Sequence, residues 1–236
     1  MKNNNKIKSL CLAVAFLLAG ITANAQLETS IFLNGSTPTG QFNDKVTLDE
    51  GQVVLGKDNI GKSATAGIGL GARIGYRFDI GYGEVAPFVN LDIQWNRCSS
   101  DIQDAHVLKS SDCPEYFNVP IVVGIQYAFP LTDIIKPFAE FAVGSDIFMA
   151  TQEGWGGSSE RCFYRYSIRN ALCWELGAGS YFGRHVSAGI YYYNFGKHWV
   201  TYNDKTSRHE GGAPIEENTP VPLKLGSLVL RVGFHF

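Results

Sequence analysis

An alternation of large apolar with small or polar residues recurs along the sequence and constrains the fold more than any other feature. Successive side chains of a β-strand lie on opposite faces, so a period of two indicates strands. The segment Ala64–Asp79 shows the pattern most clearly. Its apolar face carries Ala66, Ile68, Leu70, Ala72, Ile74, Tyr76 and Phe78, and its other face carries Thr65, Gly67, Gly69, Gly71, Arg73, Gly75 and Arg77. We predict a strand there and seven others at 27–34, 85–96, 116–129, 136–149, 166–181, 185–195 and 225–236.

The connections between the predicted strands alternate in length. Short turns are expected around Gly81, Pro130 and Gly183, and long loops at 35–63, 97–115, 150–165 and 197–224. In lipid every backbone polar group needs a partner within the protein, and a closed barrel provides one because it has no free edge. Short turns at one end and long loops at the other are typical of small outer-membrane barrels. We predict an all-β fold: a closed antiparallel eight-stranded transmembrane β-barrel with long extracellular loops and short periplasmic turns.

The face of the predicted strands that carries the small residues also carries charges of both signs. An Arg or Lys facing lipid at the bilayer midplane would cost about 2–4 kcal/mol, so we assign this face to the interior. An eight-stranded barrel is only wide enough for its side chains to fill it, and enclosed opposite charges can pair. We therefore expect a closed interior without an open pore, holding an ion-pair network of Arg73, Arg77, Asp92, Glu140, Asp146, Arg169, Glu175 and Arg231.

The N-terminus has the three parts of a signal peptide. Lys2, Lys6 and Lys8 precede an apolar run at 10–21, and Ala-Asn-Ala at 23–25 supplies a small-residue cleavage pattern. We expect residues 1–25 to be removed, leaving one barrel domain at 26–236 in the cell outer membrane. That chain would carry 17 basic and 22 acidic residues, a net charge of −5. A basic surface for nucleic acid is thereby excluded.

Four cysteines follow the leader, and export to an oxidising compartment permits disulfides among them. Cys98 and Cys113 bracket the second long loop, and a bond closing that loop would contribute roughly 3 kcal/mol. We predict that pair. For Cys162 and Cys173, a mutual bond, two free thiols or a Cys162 bond to another loop remain open. No pair has CxxC spacing, so we expect neither a metal site nor a cofactor.

Four short motifs resemble those of the outer-membrane β-barrel domain proteins of Bacteroidota, within the broad OmpX/OmpA-like and PorT-like group of eight-stranded barrels. They are NGSTPTG at 34–40 with Phe42, YFNVP at 116–120, KPFAE at 136–140 and LRVGFHF at 230–236. The resemblance covers essentially the whole mature chain. It implies that the terminal Phe236 belongs to a signal read by the barrel-assembly machinery. It carries over no catalytic residue, because barrels of this group are functionally diverse.

The function expected from these observations is not catalytic. Binding residues concentrate on loops held by a rigid scaffold, so the surface loops would serve adhesion, protein contact or envelope integrity. The expected partners are outer-membrane lipid, lipopolysaccharide and an extracellular or envelope protein. The alternatives are a narrow channel, a soluble exported barrel that binds a small apolar ligand, and a lipid A-modifying enzyme. The enzyme is disfavoured because the histidines assigned to the outer loops lack a suitably placed serine and acid: His106, His198 and His209.

Overall fold

Eight long strands form the body of the protein. The computed structural model describes residues 25–45, 48–49, 52–53, 64–99, 115–132, 134–151, 153–155, 162–165, 169–206 and 215–236. The long strands are β1 (Ala25–Thr39), β4 (Ala64–Asp79), β5 (Glu84–Cys98), β6 (Glu115–Ala128), β7 (Ile135–Ala150), β10 (Arg169–Phe182), β11 (Val186–Thr206) and β12 (Ile215–His235). Shorter elements are a 3-10 helix (Gly40–Asn43), β2 (Leu48–Asp49), β3 (Gln52–Val53), β8 (Glu153–Trp155) and β9 (Cys162–Arg165).

The long strands close into a barrel. Each is antiparallel to both of its neighbours, in the order β10-β7-β6-β5-β4-β1-β12-β11, and β11 pairs back to β10. The first and last strands meet along a seam that runs from Ser30 opposite His235 to Thr39 opposite Gly226. The predicted all-β, closed, antiparallel eight-stranded barrel is confirmed. Within the described ranges, no helix is long and apolar enough to span a membrane.

Side chains alternate between the two faces of the barrel wall. The inner face buries polar and charged residues, including Asn34, Arg73, Asn90, Asp92, Gln94, Asn118, Gln126, Glu140, Asp146, Glu175 and Arg231. The outer face exposes large apolar residues on all eight strands, including Leu27, Ile31, Leu33, Ile68, Leu70, Ile74, Leu91, Ile93, Ile121, Val123, Ile125, Phe141, Val143, Leu172, Leu176, Ile190, Leu228, Leu230 and Val232. The usual arrangement of a water-soluble β-protein is thereby inverted.

Three tight connections lie at one end of the barrel, which we call the turn end. They fall at the positions where the sequence indicated turns. Gly81 and Gly183 adopt φ values of 85° and 69°, in the left-handed region where a residue without Cβ costs least. The opposite end, which we call the loop end, carries the long connections.

Strand β1 is longer than predicted. It continues to Thr39, whereas the sequence suggested an end at residue 34. Small polar residues such as Ser36 ordinarily indicate a loop. In this barrel they face a polar interior, where Ser36 is buried, so their polarity does not end the strand.

The predicted fourth loop, 197–224, is largely a β-hairpin. Strands β11 and β12 remain paired as far as Thr206 opposite Ile215. Pro220 and Pro222 suggested a loop, but beyond Gly226 strand β12 has only β11 as a long-strand neighbour. Proline is tolerated on such an edge because one side of the strand needs no backbone donor.

Candidate functional site

An ion pair crosses the centre of the barrel between β4 and β7. Both terminal nitrogens of Arg73 donate to Glu140, at 2.9 and 2.5 Å, in a bidentate geometry. Gln126 on β6 donates to the same carboxylate at 2.6 Å. The Arg73 guanidinium also lies 3.8 Å from the ring centroid of Phe88. The charge is therefore paired, hydrogen-bonded and enclosed by aromatic surface.

A second cluster surrounds Asp92 on β5. Its carboxylate accepts from Arg231 at 2.9 Å and from Tyr193 at 2.6 Å. Asn34 and Asn90 also donate to it, at 2.8 and 2.6 Å. Arg231 and Tyr193 contact each other as well. A single buried carboxylate thus receives four donors from four strands, which offsets its loss of hydration.

Glycine makes room for this cluster. A Cβ added to Gly71 would lie only 2.0 Å from Oδ1 of Asp92. Since atoms cannot approach so closely, the small inward residue on β4 is what allows the carboxylate to occupy the space. This is the physical use of the glycine-rich face that the sequence displays.

A third cluster lies at the turn end. Arg77 contacts Glu28 at 2.6 Å and Glu84 at 3.0 Å, and Lys136 contacts Glu84 at 2.6 Å. His235 lies 2.8 Å from Glu28. Of these residues, only Arg77 belongs to the ion-pair network predicted from the sequence. The others occupy inward positions of their strands, so strict continuation of the period-two pattern to the strand ends would have found them.

His235 also completes a serine–histidine–acid arrangement. Its Nε2 lies 2.7 Å from the Ser187 hydroxyl, while its Nδ1 faces Glu28. Those contacts resemble the spacing of a nucleophile, a base and an orienting acid. However, the cavity lined by Glu28 and His235 at the turn end does not include Ser187, which is buried. A substrate carbonyl must approach its nucleophile to about 3 Å, and a substrate in this cavity would not meet the Ser187 hydroxyl.

The loop end of the interior is closed by aromatic residues. Phe42 of the 3-10 helix is fully buried and meets Tyr116 edge to face, with 5.3 Å between ring centroids. Tyr116 stacks on Phe148. Below them His198 contacts Asp146 at 3.1 Å. His198, expected in or near an outer loop, lies on β11 near the loop end, where a β-bulge between Asn194 and Gly196 turns its side chain into the barrel.

The described network residues differ in their surroundings. Arg73, Asp92, Glu140, Asp146, Glu175 and Arg231 are buried inside the barrel, with Glu175 at 3.6 Å from Arg231, while Arg77 is partly exposed at the turn end. The Arg169 side chain lies outside the described residues. Among the described residues, no group of three His, Cys, Asp or Glu side chains could hold a metal ion.

Other predicted positions fall partly outside the described chain. Cys98 is buried near the loop end, but Cys113 and residues 1–24 of the predicted leader (1–25) lie outside the described residues. Cys173 faces the interior beside Phe88, Val122 and Ala142. The Cys162 side chain is not described. Phe236 is exposed at the turn end, where its backbone N–H donates to Thr29 at 2.9 Å.

Several solved structures share the barrel arrangement. The match with neisserial surface protein A covers 90% of this chain and 99% of that protein, at 12% identity and a TM-score of 0.40. The match with Ail, the attachment invasion locus protein of Yersinia pestis, covers 91% of this chain and 100% of that protein, at 12% identity and a TM-score of 0.40. The match with the outer membrane protein OprG from Pseudomonas aeruginosa covers 91% of this chain and 96% of that protein, at 11% identity and a TM-score of 0.46. No family model and no curated protein sequence matches the chain. At these identities the similarity concerns strand arrangement, and no residue role carries over.

Proposed function

We propose that this chain is an integral outer-membrane barrel protein without catalytic activity, whose loop end faces the cell exterior. The observation that carries the proposal is the inverted wall of the barrel: large apolar side chains are exposed on all eight long strands, while charges are buried. A band of exposed apolar side chains around a closed barrel is stable in hydrocarbon and costly in water. We further propose membership of the Bacteroidota group that the motifs resemble.

The interior supports a structural role for the charges. Arg73 and Arg231 each pair with carboxylates, and aromatic side chains close the loop end above them. Paired and enclosed charges specify how the inward side chains pack. This favours a filled barrel whose activity resides at its outer surface, in adhesion, protein contact or envelope integrity.

The proposal includes the steps that bring the protein to the membrane. Cleavage after residue 25 would release the mature chain, and the barrel-assembly machinery would read the C-terminal strand that ends in Phe236. Lipid, lipopolysaccharide and an extracellular or envelope protein would then be its partners. A long β11–β12 hairpin at the loop end supports the assignment of protein contact to that side.

Fractionation with gel electrophoresis tests the membrane assignment. Closed barrels of this kind resist SDS until they are heated, so an unheated sample is expected to migrate faster than a boiled one. The protein should also sediment with the outer membrane. Recovery in the soluble periplasm, with no shift on boiling, would contradict the proposal and favour a barrel that holds an apolar ligand.

A serine-directed fluorophosphonate tests the absence of catalysis. We expect no labelling of Ser187 in the folded protein, because the hydroxyl is buried and outside the cavity beside His235. Labelling would be read by intact mass, with a known serine hydrolase as positive control. Stoichiometric labelling that disappears in Ser187→Ala would show an active nucleophile and overturn the non-catalytic assignment.

A further inference from the structure

The outer face of the β11–β12 pair changes character sharply near the loop end. Outward residues that face each other across the two strands are apolar through most of the barrel. One cationic pair then follows, and Trp199 opposite Pro222 lies beyond it. In order toward the loop end, the pairs are Ala188 and Val232, Ile190 and Leu230, Tyr192 and Leu228, Asn194 and Gly226, and Lys197 and Lys224. A change from apolar to polar residues beside an aromatic ring marks the level of an interface.

The two lysines at this level lie directly opposite each other. Like charges in that position destabilise a strand pair. Lys136 at the turn end pairs with Glu84, whereas Lys197 and Lys224 have no carboxylate partner among the described residues. Lys197 instead lies 4.5 Å from the ring centroid of Trp199. Within the described part of the chain, no carboxylate therefore compensates this pair of cations.

A cavity of about 510 Å³ adjoins the two lysines. The 3-10 helix forms one wall, held in place where the Lys224 backbone N–H donates to Gln41 at 3.2 Å. Thr39, Gln41 and Asn194 line the cavity with hydroxyl and amide groups. Together with two ammonium groups, these supply the charged and neutral donors that phosphate oxygens accept.

Gly226 keeps the cavity open on the strand side. A Cβ at this position would lie 2.9 Å from Oγ1 of Thr39 and 3.2 Å from the Tyr192 hydroxyl. A side chain at this position would therefore displace Thr39 or Tyr192, both of which line the cavity. On the apolar side, Tyr192 and Leu228 are exposed and continue the surface toward the middle of the barrel.

We infer that this cavity, between Lys197, Lys224 and the 3-10 helix, binds the phosphate of an anionic lipid headgroup in the outer leaflet. A lipid fits better than free phosphate because the apolar surface at Tyr192 and Leu228 adjoins the site and can contact acyl chains. Basic pockets at a membrane surface recognise lipid headgroups in this way. The inference rests on the proposed function, because it needs this surface to lie in a bilayer.

The test measures capture of lipid A by the full chain. The folded protein is kept in zwitterionic detergent, bisphosphorylated lipid A is titrated, and native mass spectrometry reports the bound fraction. Removing both charges, in Lys197→Gln with Lys224→Gln, is expected to weaken binding about 30-fold, roughly fivefold for each interfacial cation. The charge-conserving pair Lys197→Arg with Lys224→Arg should retain binding.

Arg97 provides a matched control. It is exposed, and its guanidinium lies 4.6 Å from the ring centroid of Trp95, much as Lys197 lies over Trp199. Arg97 does not line the cavity, so Arg97→Gln should bind lipid A as the unmodified protein does. The inference would be overturned if Arg97→Gln lost as much lipid A binding as the double glutamine variant, or if the double glutamine variant bound lipid A as the unmodified protein does.

Two further measurements, phosphate competition and insertion into vesicles, show which part of the inference is wrong if lipid A does not bind as expected. If millimolar inorganic phosphate displaces lipid A, the site recognises free phosphate and the lipid assignment is wrong. Each variant is also inserted into phosphatidylcholine vesicles and checked for the migration shift on heating. An unmodified chain that never inserts refutes the membrane assignment itself. A chain that inserts normally but captures no lipid A refutes only the headgroup site.

Discussion

Arg231→Met is expected to lower the free energy of unfolding by about 3–5 kcal/mol, the cost of leaving a buried ion-pair partner uncompensated. Asp92 would lose its cationic partner at 2.9 Å, and Glu175 would lose a cation at 3.6 Å. Both carboxylates are fully buried, so water cannot replace the arginine without opening the barrel. If the remaining stability is small, the barrel of the Arg231→Met variant would fail to close.

Urea titration in zwitterionic vesicles measures this loss, with the fraction of fast-migrating unheated protein as the readout. Arg231→Lys keeps the positive charge and should lower the free energy of unfolding by less. Adding Asp92→Asn to Arg231→Met should recover part of the lost stability, because it removes one of the two buried carboxylates that no longer have an arginine partner. If Arg231→Met unfolds at the urea concentration of the unmodified protein, the interior charges do not contribute to stability as described.

Val123→Arg is expected to destabilise the bilayer-inserted protein by about 2–4 kcal/mol, the cost of a cation near the midplane. Val123 lies on the outer face of β6 and is more than half exposed. In a water-soluble barrel the same change would add a charge to a solvated surface, usually within about 0.5 kcal/mol of neutral. One substitution therefore separates the two environments.

Tyr82→Arg is the matched control, since Tyr82 is the most exposed of the large apolar side chains described and lies in a turn at the barrel end. A cation near the interface should cost only about 0–1 kcal/mol. Both variants are unfolded with urea from vesicles of the same lipid. Equal stability of the two variants would show that Val123 does not face hydrocarbon.

The strands and their faces follow from the sequence because the wall separates two environments. Ala64–Asp79 forms a strand with the predicted bounds, and Arg73 and Asp92 lie on the predicted inner face. In the proposed membrane setting, lipid on one side and a narrow interior on the other impose the same alternation on every strand. A simple period of two therefore carries most of the information about the fold.

What the sequence did not reveal depends on local departures from that period. His198 is buried because a bulge between Asn194 and Gly196 shifts the alternation by one residue. The signal in the sequence is Gly196, which adopts a φ of 89°, since a glycine within a strand often marks a bulge. The hairpin beyond the barrel contains Pro220 and Pro222, which ordinarily indicate loops. The Lys197 and Lys224 pair depends on the register between two strands, which a single sequence does not specify.

The donors gathered around Asp92 come from distant parts of the chain. Asn34 precedes it by 58 residues, while Tyr193 and Arg231 follow it by 101 and 139. The contacts from Tyr193 and Arg231 reach Asp92 across the seam between the first and last strands. They form only when those strands have met, so the entropy of closing long loops is lost before they stabilise anything. We expect assembly to be slow and nearly all-or-none, since a partly closed barrel would expose an anion that has not yet met its arginine.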